Sequence, residues 1–232
     1  MQHADFGEIT FVRNAKIRRL SARIFPNGLN VRLPLLCSEN EALKWLEKEK
    51  IKILKKQQNA QKQKKNNILI TPENPLKTLT FNIIAIPTNR ENVYFSMKND
   101  ILTIEFPENQ DCTDEKMQKI FWNGINHFLR REAKRILPPR VKQLADNYHF
   151  TYSKVIVKQI KSRWGSCSNK GNINLSFYLM LLPPYLIDYV ILHELCHTRE
   201  MNHSDRFWRQ MDAVTGAAGK KLRQELKQYN MP

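Results

Sequence analysis

The sequence predicts an α+β fold, and three observations carry that prediction. Residues 1–110 hold short runs rich in Ile, Val, Phe and Thr, divided by Asn, Asp, Pro and Gly, which is strand-and-turn composition. From about Thr113 the apolar residues change to helical spacing. Residues 193–203, HELCHTREMNH, then set two histidines four apart, a spacing that puts both on one helix face. The expected division is a basic, mainly β region with antiparallel strands over 1–110, carrying one helix at about 38–60, and a helical second part over 111–232.

Residues 9–34 read as a β-hairpin. ITFVRN is one strand, KIRRLSARIF alternates imperfectly, Pro26-Asn27-Gly28 is a turn signal, and LNVRLP turns Leu29, Val31 and Leu33 inward. Arg18, Arg19, Arg23 and Arg32 then fall mostly on the exposed face, where they are solvated or contact phosphates. Ser38 and Glu41 form a capping box at the start of a helix carrying Leu43, Trp45 and Leu46. That helix runs into a Lys/Gln tract, either a frayed end or a linker. TLTFNIIAIP, NVYFSMK and ILTIEFP are strands expected to extend the N-terminal hairpin as one antiparallel sheet. A helix follows over about Thr113–Ile136, with Asp114 and Glu115 in its first turn and Lys134 and Arg135 in its last. Pro138 and Pro139 are expected to end it, with a second helix over Arg140–Tyr148. VIVKQI and NINLS are strands around the turn Ser168–Gly171. Pro183 and Pro184 open a buried helix bearing Leu186, Tyr189, Val190 and Leu192. No internal repeat is visible.

The chain has 232 residues, enough for a sizeable core and for one or two domains. It carries 38 Lys and Arg against 22 Asp and Glu, a formal net charge of +16. That balance suits an acidic partner such as nucleic acid, and it equally suits a soluble protein with solvated lysines. The Lys-rich tract is the best candidate for a phosphate contact, since clustered lysines release counterions. It lacks interleaved aromatics, so base-specific reading is not supported. Cys37, Cys112, Cys167 and Cys196 form no CxxC or disulfide framework. With no signal peptide or membrane-spanning run in view, the cytoplasm is the default expectation.

The histidine stretch carries the chemistry. His193 and His197 lie one turn apart, and His203 enters beyond the helix as a third ligand. Zinc held by three protein groups keeps a fourth position for water, the arrangement of a catalytic site. Glu194 stands beside the metal as general base. The five-residue pattern alone also arises by chance. The buried helix before it, the uncharged Leu195 and Cys196 inside it and the placed third histidine strengthen the zinc reading. Where the metzincin pattern has a turn-making glycine, this chain has Glu200, so a metzincin is not expected. Asn202 is the better candidate for a left-handed turn, and Glu200 is the alternative third ligand or a solvated helix end.

SRWGSCSNKGNINLS, PPYLIDYVILHELCH and NHSDRFW together closely resemble the YgjP-like family of zinc metallopeptidases, related to the SprT-type and Wss-type zincins. LSARIFPNGLNVRLP, EALKWLEKEK and FLRREAKRILPPRVKQLA resemble it too, so most of the chain is covered. The resemblance implies a zincin-like catalytic half with Zn2+ on His193, His197 and His203, and Glu194 as the base. It also implies a strand at Arg163–Cys167 bordering the cleft, with Arg163, Gly165 and Ser166 as candidate substrate contacts. Trp164 and Cys167 fit core positions better than site positions. Ser204 is a candidate N-cap for a helix whose Phe207, Trp208, Met211 and Val214 fix His203. The expected substrate is a protein or peptide, with no membrane involved. A nucleic-acid-anchored peptidase, a hydrolase of non-peptide amides and a non-catalytic metal-binding module remain the competing readings. Tyr185, Tyr189 and Arg199 stand near in sequence as oxyanion donors, and none is assigned.

Overall fold

A computed structural model describes the backbone of every residue except Pro26, Asn66 and Asn67, and the side chains of all others outside residues 59–65. The chain is α+β and divides into two compact units, Met1–Asn67 and Ile68–Pro232. The boundary therefore falls well before residue 110. The reason lies in the cores: the strands after Ile68 bury their inner face against the long helix that follows them.

The first unit is a four-stranded sheet with two helices. Its strands are β1 (Gln2–His3), β2 (Gly7–Arg13), β3 (Ser21–Phe25) and β4 (Gly28–Leu33), in the order β1-β2-β4-β3. β3 and β4 form the expected hairpin, whose turn at Pro26 lies outside the described residues. β2 runs parallel to β4, so the sheet is mixed rather than antiparallel. The crossover through residues 14–20 carries the chain past β4 before it returns. Ile9, Leu29, Val31 and Leu33 face inward and meet Ala42 and Leu46 of α1 (Glu39–Lys48) and Ile53 of α2 (Lys50–Lys65). The Ser38–Glu41 capping box forms. The single helix expected over 38–60 is interrupted at Glu49 and continues to Lys65.

The second unit opens with β5 (Leu76–Lys77), β6 (Asn82–Thr88), β7 (Tyr94–Lys98) and β8 (Ile101–Pro107). These form their own sheet in the order β5-β6-β8-β7, again with a parallel central pair and antiparallel flanks. The two sheets thus repeat one topology. The inward triplets correspond: Ile9, Leu29 and Ile24 in the first sheet match Ile83, Leu102 and Met97 in the second. This repeat is structural and leaves no readable sequence period.

Helix α3 (Glu115–Asn147) is one continuous helix of 33 residues, with Pro138 and Pro139 inside it. The two prolines remove hydrogen bonds to the carbonyls of Lys134 and Arg135, which sit on the exposed side where water solvates them. Packing outweighs that loss. Phe121, Ile125, Leu129, Ala133, Leu137 and Val141, spaced by four, are fully buried. Such a row drifts about 40° per step around a helix of 3.6 residues per turn. The buried stripe therefore winds, facing the second sheet near Phe121 and Phe106 and the later helices near its end. Gly124 sits where any Cβ would lie 2.2 Å from the Phe95 ring, which explains a helix-breaking residue at this place.

A third sheet, ordered β10-β11-β9, comprises β9 (Lys154–Lys158), β10 (Gly165–Cys167) and β11 (Asn172–Ser176). A 3₁₀ turn at Phe177–Leu181 leads into α4 (Pro184–Cys196), α5 (Asp205–Thr215) and α6 (Gly219–Leu226). Arg140 of α3 grips Asp188 of α4 through both carboxylate oxygens. Among the described residues no helix is long and apolar enough to cross a membrane. Replacing Phe121 by alanine should lower stability by about 3–5 kcal/mol, measured as a shift in urea unfolding midpoint at unchanged slope. A midpoint within error of the parent would show that α3 is not packed as described.

Candidate metal centre

Helix α4 is exposed at its first turn, at Pro184 and Tyr185, and largely buried from Leu186 to Cys196, where burying an unpaired polar group is costly. His193 and His197, one turn apart, project the same way, and their Nε2 atoms lie 3.2 Å apart. After α4 the chain turns through Thr198, Arg199 and Glu200, whose amides close on the carbonyls of Leu195 and Cys196. No residue between His197 and His203 has positive φ, so the left-handed turn expected at Asn202 is not used. His203 returns to within 3.1 Å of His193, Nε2 to Nε2. The three ligand atoms all lie within 4.8 Å of one another.

Glu200 helps from its backbone rather than its carboxylate. Its carbonyl oxygen lies 3.0 Å from His197 Nδ1 and accepts a hydrogen bond from the N–H there, which leaves the lone pair on Nε2 facing the other imidazoles. Phe207 does more than fix His203. It is fully buried with its ring centroid 4.9, 4.6 and 4.8 Å from those of His193, His197 and His203. Ser204 caps α5 as expected and so places Phe207 beneath the triad.

The residues fit a divalent metal. Burial, followed by the charges of His197, His203 and Arg223, pushes His193 down to about 3. Burial also lowers His197 and His203, so all three rings are in the neutral, ligating form near neutral pH. His193 Nδ1 is buried without a partner. Lone pairs converging at such separations repel unless a cation lies among them. Tetrahedral zinc with bonds of about 2.0–2.1 Å holds its nitrogens roughly 3.3 Å apart, close to the spacing of the two bonded pairs.

Glu194 lies on the cavity side of α4. Burial pushes its carboxyl up to about 8, and Arg163 opposes that rise. Gly165 at the start of β10 faces it: a Cβ there would stand 2.7 Å from Glu194 Oε1. The sequence reading left that glycine open for substrate; the structure fills the space with the carboxylate. Arg163, Trp164, Gly165, Tyr189, His193, Glu194 and His203 line a cavity of about 440 Å³. Ser166 does not line it; its hydroxyl accepts from Asn174 across the sheet at 3.4 Å. Of the three oxyanion candidates, Tyr185 bonds Glu225, and Arg199 bonds the His149 carbonyl. Tyr189 alone lines the cavity, with its hydroxyl unpartnered.

Val190 and, from the C-terminal part of the chain, Arg223, Leu226, Lys227 and Tyr229 complete the cavity wall; sequence reasoning did not find the last four. The spacing of Arg223, Leu226 and Lys227 marks one helix face, but nothing local says that the face meets the histidines. A second acid-and-histidine group, His3, Asp5 and Glu47, lies in the first unit. Lys50 pairs with both of its carboxylates, at 2.5 Å from Asp5 and 3.7 Å from Glu47.

No curated protein matches the chain. Among solved structures, the metallopeptidase zymogen of Pyrococcus abyssi abylysin is similar at 24% identity and a TM-score of 0.36, over 40% of this chain and 97% of that one. The metallopeptidase zymogen of Methanocaldococcus jannaschii jannalysin is similar at 21% identity and a TM-score of 0.34, over 39% of this chain and 92% of that one. The YgjP-like, metallopeptidase domain family model matches residues 18–229. That match spans most of the chain, and the protein belongs to the YgjP-like metallopeptidase family.

Proposed function

We propose that the protein is a zinc-dependent peptidase hydrolysing peptide bonds in protein or peptide substrates, with His193, His197 and His203 as ligands and Glu194 as general base. The observation that carries this reading is the convergence of three imidazole nitrogens beside a buried carboxylate at the wall of an open cavity. An all-imidazole set suits several transition metals, and hydrolysis without redox chemistry favours zinc among them. When bound, zinc lowers the pKa of a water to about 7 and polarises the scissile carbonyl.

The chain's own groups do the rest. Glu194 takes a proton from water as the water oxygen adds to the carbonyl carbon. It then delivers that proton to the amine nitrogen as the C–N bond breaks. A carboxyl raised to about 8 by burial holds a proton readily, and a cation in the triad would draw it back towards ionisation. Gly165 sets where the carboxylate rests. β10 is an edge strand, so one side of its backbone is open to pair with an extended peptide next to Arg163 and Gly165. The proposed setting is the cytoplasm, with all four cysteines as free thiols.

A second reading concerns the first unit, which we propose as a nucleic-acid anchor. It holds fifteen Lys and Arg against six Asp and Glu. The outer face of its sheet exposes Arg23 and Arg32, with Arg23 over the Phe25 ring at 5.3 Å.

Elemental mass spectrometry should find about one zinc per chain in the parent and in Glu194→Gln, and none in His193→Ala. Glu194→Gln should lose about 10²–10⁴ in kcat; a parent that stays metal-free after reconstitution would end the zinc reading. Gly165→Ala should displace the Glu194 carboxylate and cost about 10²-fold in kcat with zinc retained. Unchanged turnover would mean that the contact does not position the base. For the anchor, affinity for a single-stranded oligonucleotide should fall steeply with salt, and Arg23→Ala should reduce the log–log slope by about 1. Salt-insensitive binding would contradict it.

A further inference from the structure

The geometry points to a carboxylate-binding cavity beside the histidine triad: its substrate is a peptide bearing an acidic side chain or a free C-terminal carboxylate next to the bond that is cut. The inference rests on the peptidase reading above and names its substrate class.

Three cations converge on the cavity from two distant chain segments. Arg163 stands just ahead of β10, and Arg223 and Lys227 come from the end of α6. The one acid in the lining is Glu194, which is buried and assigned to proton transfer. Among the described residues none of the three cations forms an ion pair with a carboxylate. Glu225, between Arg223 and Lys227 in sequence, is turned away to bond Tyr185. Arg223 is held over the Trp208 ring at 5.3 Å, so its guanidinium has a fixed seat rather than a free sweep through solvent. Its field reaches His193, His203 and Tyr189.

Exposed lysines and arginines on a convex surface are ordinarily solvated and carry no message. Here they ring a concavity whose other walls are Trp164, Val190, Leu226 and Tyr229. Apolar walls concentrate the field of like charges in a cleft. A carboxylate entering it gains charge-assisted hydrogen bonds, and an arginine offers it a two-pronged donor. A lysine or arginine in the same position meets repulsion from the three cations, so the arrangement also disfavours basic peptides.

The test uses full-length protein and four labelled octapeptides: one with an internal Glu pair and an amidated end, one neutral with a free carboxylate, one neutral and amidated, one with an internal Lys pair and amidated. Binding is read by fluorescence anisotropy on Glu194→Gln, and cleavage by mass spectrometry on the zinc-loaded parent. One of the two carboxylate peptides should bind about tenfold tighter than the neutral amidated one, and the Lys peptide weakest. Which of the two leads tells side chain from chain end. Arg223→Gln combined with Lys227→Gln should abolish the advantage. Lys220→Gln, on α6 but outside the cavity, should keep it. Equal binding of carboxylate and neutral amidated peptides, or an advantage that survives the double substitution, overturns the inference, even if peptides are cleaved. Selective binding with no cleavage of any peptide leaves this inference standing and sinks the peptidase reading.

Discussion

The later turns of α4 leave little solvent for a polar group, and they carry His193 and Glu194, with His197 at the helix end, into that position. His197 is met by the Glu200 carbonyl, at 3.0 Å from Nδ1. Glu194 rests against Gly165, where no side chain intervenes. The imidazole Nε2 atoms are left facing one another, an arrangement that a cation completes. Much of what surrounds the centre follows from this constraint. β10 must be thin at Gly165, Phe207 must be flat and apolar beneath three rings, and the chain after α4 must turn back within a few residues.

The scaffold that holds α4 is made by α3. Its stripe of residues at four-residue spacing winds around the helix, so one element meets the second sheet at one end and α4 at the other. The Arg140–Asp188 ion pair fixes the relation between the two helices close to the site. Two prolines survive inside α3 because the buried contacts on either side outweigh two missing hydrogen bonds whose acceptors face solvent. The first unit repeats the sheet topology of the second around a separate core.

The cavity joins the two kinds of chemistry. On one side stand groups suited to activate water. On the other stand cations suited to hold an anion, carried by a helix that the Tyr185–Glu225 bond ties to the start of α4. Burial lowers the pKa of the three imidazoles and raises that of the Glu194 carboxyl. Arg163, Arg223 and Lys227 are exposed at the rim, where a cation stays charged and reachable.

The sequence by itself determined the α+β class, the longer strands, the helix starts at Ser38, Pro183 and Ser204, and the spacing of the three histidines that the fold brings together. Those features depend on local rules: alternation, capping and a four-residue spacing on a helix. Whether β2 pairs parallel or antiparallel with β4 is decided by which strand lies between others in the sheet, and no residue in β2 encodes it. The fate of Pro138 and Pro139 was decided by packing, since a local rule weighs the lost hydrogen bonds and cannot see the buried contacts. Gly165 was legible as a place of close approach, but only the fold shows that the approaching group is Glu194. Arg223 and Lys227 were illegible as site residues, because their meeting with His193 is made by the return of α6 across thirty residues of intervening chain.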